Sequence, residues 1–107
     1  MITKVTRENL ADFTAAPLTI IDFWAPWCGP CKIMDRIIRN LAEEYGDQVQ
    51  FGKFNVDDNQ DIAEKYKVFS IPSLVVFRSG KGVEKVSGIF PEPKLAEFIE
   101  QKIAETN

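Results

Sequence analysis

Residues 18–24, LTIIDFW, are the most restrictive stretch of this chain. Their β-branched and aromatic side chains read as a buried strand, which needs neighbours to cover it. The flanking patterns supply them. Residues 2–5, ITKV, read as a short first strand. Thr6 is placed to cap a helix over residues 7–15, with Leu10 and Phe13 on one face and Pro17 closing it. Further on, Met34, Ile37, Ile38, Leu41 and Tyr45 recur at helical spacing, with Gly46 as a stop. Residues 49–57, VQFGKFNVD, read as a strand, and Asp58 or Asn59 then caps a short helix carrying Ile62, Ala63 and Tyr66. Residues 73–88 form two strands around Ser79–Gly80, a hairpin pattern. Pro91 and Pro93 suit the start of a last helix, whose Leu95, Phe98, Ile99 and Ile103 make one apolar stripe. The order β-α-β-α-β-α-β-β-α implies an α/β fold, a central mixed five-stranded sheet flanked by four α-helices. With no repeat or linker, residues 1–107 are expected to form a single domain.

Composition removes several functions. Thirteen basic residues stand against sixteen acidic ones, a net charge of −3, and no basic run appears, so nucleic acid is not an expected partner. The apolar runs are only a few residues long, so no membrane span is expected. The first nine residues, MITKVTREN, lack the apolar segment of a secretory signal. The expected location is the cytoplasm, with an organelle stroma or matrix as the alternative. The absence of histidine removes the commonest metal ligand and the commonest general base. Two cysteines cannot complete a structural zinc site, which takes four Cys or His ligands, so no metal is expected.

Both cysteines and both tryptophans lie within residues 21–31, IDFWAPWCGPC. If a helix starts near Pro30, Cys28 just precedes it and Cys31 sits in its first turn. Unpaired backbone N–H groups and the helix dipole then favour a thiolate at Cys28. Gly29 and Pro30 make a tight turn, Lys32 adds a modest electrostatic contribution, and i, i+3 spacing lets the sulfurs meet. Spacing alone leaves three readings: a redox pair, two inert core thiols, or half of a metal site. Asp22 interrupts an apolar strand. Burial would raise its pKa and poise it as a proton acceptor, whereas a strand-end structural aspartate is the plainer reading.

The motif WCGPC, residues 27–31 within DFWAPWCGPCK, resembles the active site of the thioredoxin family. The likeness extends over nearly the whole chain, through Asp22, Lys53, the IPS of residues 71–73, and Gly88. It implies the thioredoxin fold and thiol–disulfide exchange as a protein-disulfide reductase. Carried over by position, Cys28 is the attacking nucleophile and the more exposed sulfur, and Cys31 is the resolving thiol. Asp22 accepts the proton of Cys31, and Lys53 tunes Asp22. Trp27 shields the cysteines and touches substrate, with Trp24 packed beneath them. Ile71 precedes a cis Pro72 facing the cysteines, and the Ile71 backbone pairs with an extended substrate segment. Gly29, Pro30, Gly88 and Ile89 complete the substrate groove, and Ser87 flanks it.

Two features depart from the family pattern. Arg36 stands where many members carry a helix proline, which implies a weaker kink. Phe69, Ile89 and Phe90 imply a more apolar groove, unless they simply pack at loop bases. The resemblance implies no bound cofactor, disulfide-containing target proteins, a monomer, and recharging by a thioredoxin reductase that is NADPH- or ferredoxin-linked. The chain has no dinucleotide fingerprint of its own. An oxidase or isomerase, or a non-enzymatic binding module, are the competing functions. Pro30 with no histidine speaks against the first, and two intact cysteines against the second.

Overall fold

A computed structural model describes residues 1–106; the last residue of the expected domain, 107, lies outside them. The elements follow as β1 (Thr3–Val5), α1 (Leu10–Thr14), β2 (Thr19–Trp24), α2 (Gly29–Tyr45), β3 (Gln50–Asn55), α3 (Gln60–Lys65), β4 (Ser73–Arg78), β5 (Lys81–Ser87) and α4 (Glu92–Thr106). The strands lie in the order β1-β3-β2-β4-β5. β1 and β2 run parallel to β3, β4 is antiparallel to β2, and β5 is antiparallel to β4. This is the expected mixed five-stranded sheet with four helices.

β2 sits at the centre because both its faces are apolar. Side chains alternate across a strand, so the two faces feed two cores. Ile20 packs with Met34, Ile38 and Leu41 of α2 and with Leu95 and Ile99 of α4. Ile21 and Phe23 pack on the other side with Leu10, Phe54, Ala63 and Phe77. By the same alternation Asp22 projects toward the side of α2.

Several ends differ from their sequence reading. α1 is only five residues long, because residues 7–9 form a turn instead and Ala15 is its C-cap. Thr6 closes that turn reciprocally: its N–H donates to Asn9 Oδ1 at 2.8 Å, and its hydroxyl accepts from the Asn9 N–H at 3.3 Å. Asn59 precedes α3, but its side chain does not cap it; its amide donates to the carbonyls of Asn55 and Asp57. Gly46 ends α2 without a left-handed turn (φ −64°). Glycine is needed there for space, since a Cβ would come within 2.5 Å of the Ala42 carbonyl oxygen. Ser79 and Gly80 do take positive φ, 49° and 89°, as a two-residue hairpin turn requires. α2 runs unbroken through the exposed Arg36.

Gly52 on β3 leaves room for the side chains of Val5 on β1 and Phe13 on α1. A Cβ at this position would lie 2.5 Å from Val5 Cγ2 and 2.7 Å from the Phe13 ring. Gly52→Val is therefore expected to lower stability by about 1–3 kcal/mol, seen as a lower urea midpoint at unchanged slope.

Candidate active site

The chain leaves β2 at Trp24 and turns into α2 within four residues. The turn is fixed by the Cys28 N–H, which donates to the Ala25 carbonyl at 3.2 Å. Cys28 is the N-cap of α2, in extended conformation (φ −91°, ψ 108°), and Pro30 occupies the first helical turn. The Cys28 sulfur accepts the N–H of Cys31 at 3.2 Å, one of the donors that a helix start leaves unpaired. A disulfide joins Cys28 and Cys31, with their Cα atoms 5.3 Å apart. The expected contrast in exposure is slight, because both residues are buried, at 5% for Cys28 and 3% for Cys31. Ala25 packs with the two cysteines, and Trp24, Val56 and Ile71 lean on this small cluster. Gly29 and Pro30 stay on the surface.

Asp22 is 1% exposed, and neither carboxylate oxygen has a hydrogen-bond partner. It opens instead into a cavity of about 130 Å³ lined by Trp24, Cys31, Lys32, Asp35 and Lys53. Burial is the main cause that raises its pKa to about 7; the Lys53 charge opposes this, and the Asp35 charge adds to it. A carboxyl group of this kind holds or releases a proton near neutrality, in a cavity that Cys31 also lines.

Lys53 faces Asp22 in the parallel register of β2 and β3, as its position implies. Its ammonium, however, pairs with Asp35 Oδ1 at 2.7 Å and lies 4.3 Å above the Trp24 ring. The other Asp35 oxygen accepts from Arg39 at 2.8 Å. Burial alone would raise the Asp35 carboxyl, but the hydrogen bonds from Lys53 and Arg39 outweigh it and hold its pKa below the usual carboxylate value. The sequence reading passed over Asp35. Its spacing of four residues from Cys31 places it on the same face of α2, one turn further on.

The surface around the disulfide is apolar. Trp27 is 71% exposed, and its indole N–H donates to Asp57 at 2.9 Å, a partner that carries no sequence signal. Phe69 is 77% exposed across a depression that Trp27, Val56, Val68 and Ile71 also line. The Ile71–Pro72 bond is cis. Gly88 has φ +92°, open space where a Cβ would be, and an N–H that donates to the Pro72 carbonyl at 2.8 Å. Ile89 is exposed, whereas Phe90 leaves this surface and packs against the core under α2 and α4. Ser73 is buried, and its hydroxyl meets Ser87 Oγ at 3.2 Å and the Ser70 carbonyl at 2.7 Å. Among the described residues no group of three or more His, Cys, Asp or Glu is arranged to hold a metal, and no helix is long and apolar enough to cross a membrane.

A C-x-x-C disulfide at a helix start, at the carboxyl end of a central strand, defines the class of thiol–disulfide exchange proteins. The thioredoxin family model matches residues 1–101. A thioredoxin of Staphylococcus saprophyticus is 42% identical over 102 residues, covering 95% of this chain and 98% of the relative. A thioredoxin of Bacillus subtilis is 39% identical over the same span. The solved structure of a single-site mutant of thioredoxin from Halobacterium salinarum superposes with a TM-score of 0.85 at 35% identity, covering 94% of this chain and 89% of that one. The chain belongs to the thioredoxin family. It is a protein-disulfide reductase that works by dithiol–disulfide exchange through Cys28 and Cys31.

The buried Asp22 makes stability depend on pH. Its folded pKa lies above the unfolded value of 3.8, so the folded state loses stability as pH rises from about 4 to about 7. The loss is largest above pH 7, on the order of 4 kcal/mol. Asp22→Asn is therefore expected to stabilise the oxidised protein at pH 8, with the gain vanishing below pH 4. Urea denaturation at the two pH values measures it.

Proposed function

We propose that Cys28 attacks and Cys31 resolves. The Cys28 thiolate attacks one sulfur of a target disulfide, that S–S bond breaks, and the first target thiol leaves. A mixed disulfide between Cys28 and the target remains. Asp22, as carboxylate, then takes the proton of Cys31, whose thiolate attacks the Cys28 sulfur. The second target thiol leaves, and the Cys28–Cys31 disulfide forms. Two electrons have passed to the target, and a reductase returns them.

The observation that carries this reading is the position of the two sulfurs. Cys28 Sγ receives a backbone N–H at the start of α2, where a developing thiolate is stabilised. Cys31 lines the cavity into which the unpaired Asp22 carboxyl opens. Lys53 acts on Asp22 through space, and Trp24 and Asp35 hold it in place.

Trp27, Gly29, Pro30, Ile71, Pro72, Gly88 and Ile89 form the surface that receives the target in this reading. An extended target segment pairs with the Ile71 backbone beside the cis Pro72, and Gly88 keeps the opposite wall free of a side chain. Residues 1–107 act as one domain and as a monomer. The protein carries no bound cofactor, resides in the cytoplasm, and takes electrons from an NADPH- or ferredoxin-linked thioredoxin reductase.

Cys31→Ser is expected to accumulate the mixed disulfide with a target protein, and Cys28→Ser is not. Non-reducing electrophoresis reads both, and trapping through Cys31 would reverse the assignment. Release from the mixed disulfide should speed up as pH rises through about 7, following the Asp22 carboxylate. Asp22→Ala should slow release by on the order of 10²-fold and flatten that profile. Stopped-flow Trp fluorescence follows both; an unchanged rate would remove Asp22 as the base.

A further inference from the structure

We propose that Asp35 is a positioning residue: by binding the Lys53 ammonium it keeps that cation off Asp22 and leaves the Asp22 carboxyl unpaired beside Cys31. Its consequence for the reaction rests on Asp22 being the proton acceptor, but its effect on Asp22 does not.

The geometry is specific. Asp22 and Lys53 are register partners on adjacent strands, and both line the same cavity. Lys53 nonetheless pairs with Asp35, and neither Asp22 oxygen has a partner. The competition has a physical basis. Asp35 retains about a quarter of its exposure and shares its charge with Arg39, whereas an ion pair on Asp22 would have to form at a site only 1% exposed. Desolvating both charges there costs more than at Asp35, so Lys53 pairs with Asp35 as long as Asp35 is present and ionised. The Trp24 ring supports the ammonium from a second side.

The groups facing Asp22 are few. α2 contributes Cys31, Lys32 and Asp35, and β3 contributes Lys53. On β4 its register partner is the apolar Leu74. Arg39 stands behind Asp35 on the helix surface. Neutralising Asp35 thus does two things in the same direction: it frees Lys53 to approach Asp22, and it removes a nearby negative charge. Both favour the Asp22 carboxylate.

The test is a carbon NMR titration of the Asp22 side chain in the oxidised protein, with Asp22→Asn assigning the signal. Asp35→Asn is expected to lower the Asp22 midpoint by about one pH unit or more. In a Lys53→Met background the same Asp35→Asn change should shift the midpoint by less than half as much, because the cation to be released is gone. An unmoved midpoint in Asp35→Asn overturns the proposal. So does an equal shift with and without Lys53, which would mean that Asp35 acts by its own charge alone. The pH profile of mixed-disulfide release separates the two readings. A midpoint that moves while the release profile stays fixed upholds the role of Asp35 and sinks Asp22 as the base. A midpoint that stays fixed sinks the role of Asp35, whatever Asp22→Ala does to release.

Discussion

The covering of β2 on both faces is the constraint from which the rest of the molecule follows. A strand with Ile20 on one side and Ile21 and Phe23 on the other must lie inside a sheet and between helices. That requirement puts β3 and β4 beside it and α2 and α4 against one face. It also brings the end of β2 to the start of α2, where the two cysteines stand. A carboxylate placed in such a strand has no route to water except a cavity. Asp22 has one, and Cys31 forms part of its wall.

The two ends of the site use opposite electrostatics. At Cys28 the environment is polar in a directed sense, because a helix start offers N–H groups to an anion. At Asp22 burial penalises the anion. One end of the site thus favours a negative charge, and the other opposes it. The ion pair of Lys53 with Asp35 sits between these extremes. It gives the cation a partner while the Asp22 oxygens have none, and burial holds the Asp22 carboxyl near neutrality.

The outer rim does different work. Trp27 and Phe69 expose apolar side chains near a disulfide whose own residues are almost covered. In the proposed reading a target presents its disulfide to this surface, where contact area holds it while its sulfur reaches Cys28. Phe69 stays on this surface, whereas Phe90 turns into the core beneath α2 and α4.

Residues near one another in the chain were legible in the sequence. The alternating apolar pattern of residues 18–24, the 3.6-residue spacing in α2 and α4, and the turn residues Ser79 and Gly80 each carry their own geometric reason. The element order followed, and so did the cap position of Cys28, because helix starts are local. Element ends were less legible: α1 lost residues 7–9 to a turn held by Thr6 and Asn9, and Gly46 proved to be required for room rather than for its φ. Which charges meet was not legible at all. Lys53 could be read as the neighbour of Asp22 by position, yet its partner comes from α2, eighteen residues back along the chain. The Asp57 that accepts from Trp27 lies thirty residues away. Sequence by itself determined the architecture and the two sulfurs, since these rest on periodicity and local backbone geometry. Only the tertiary structure decided where the protons and cations reside, because that depends on how deeply each group is buried and on which helix crosses which strand.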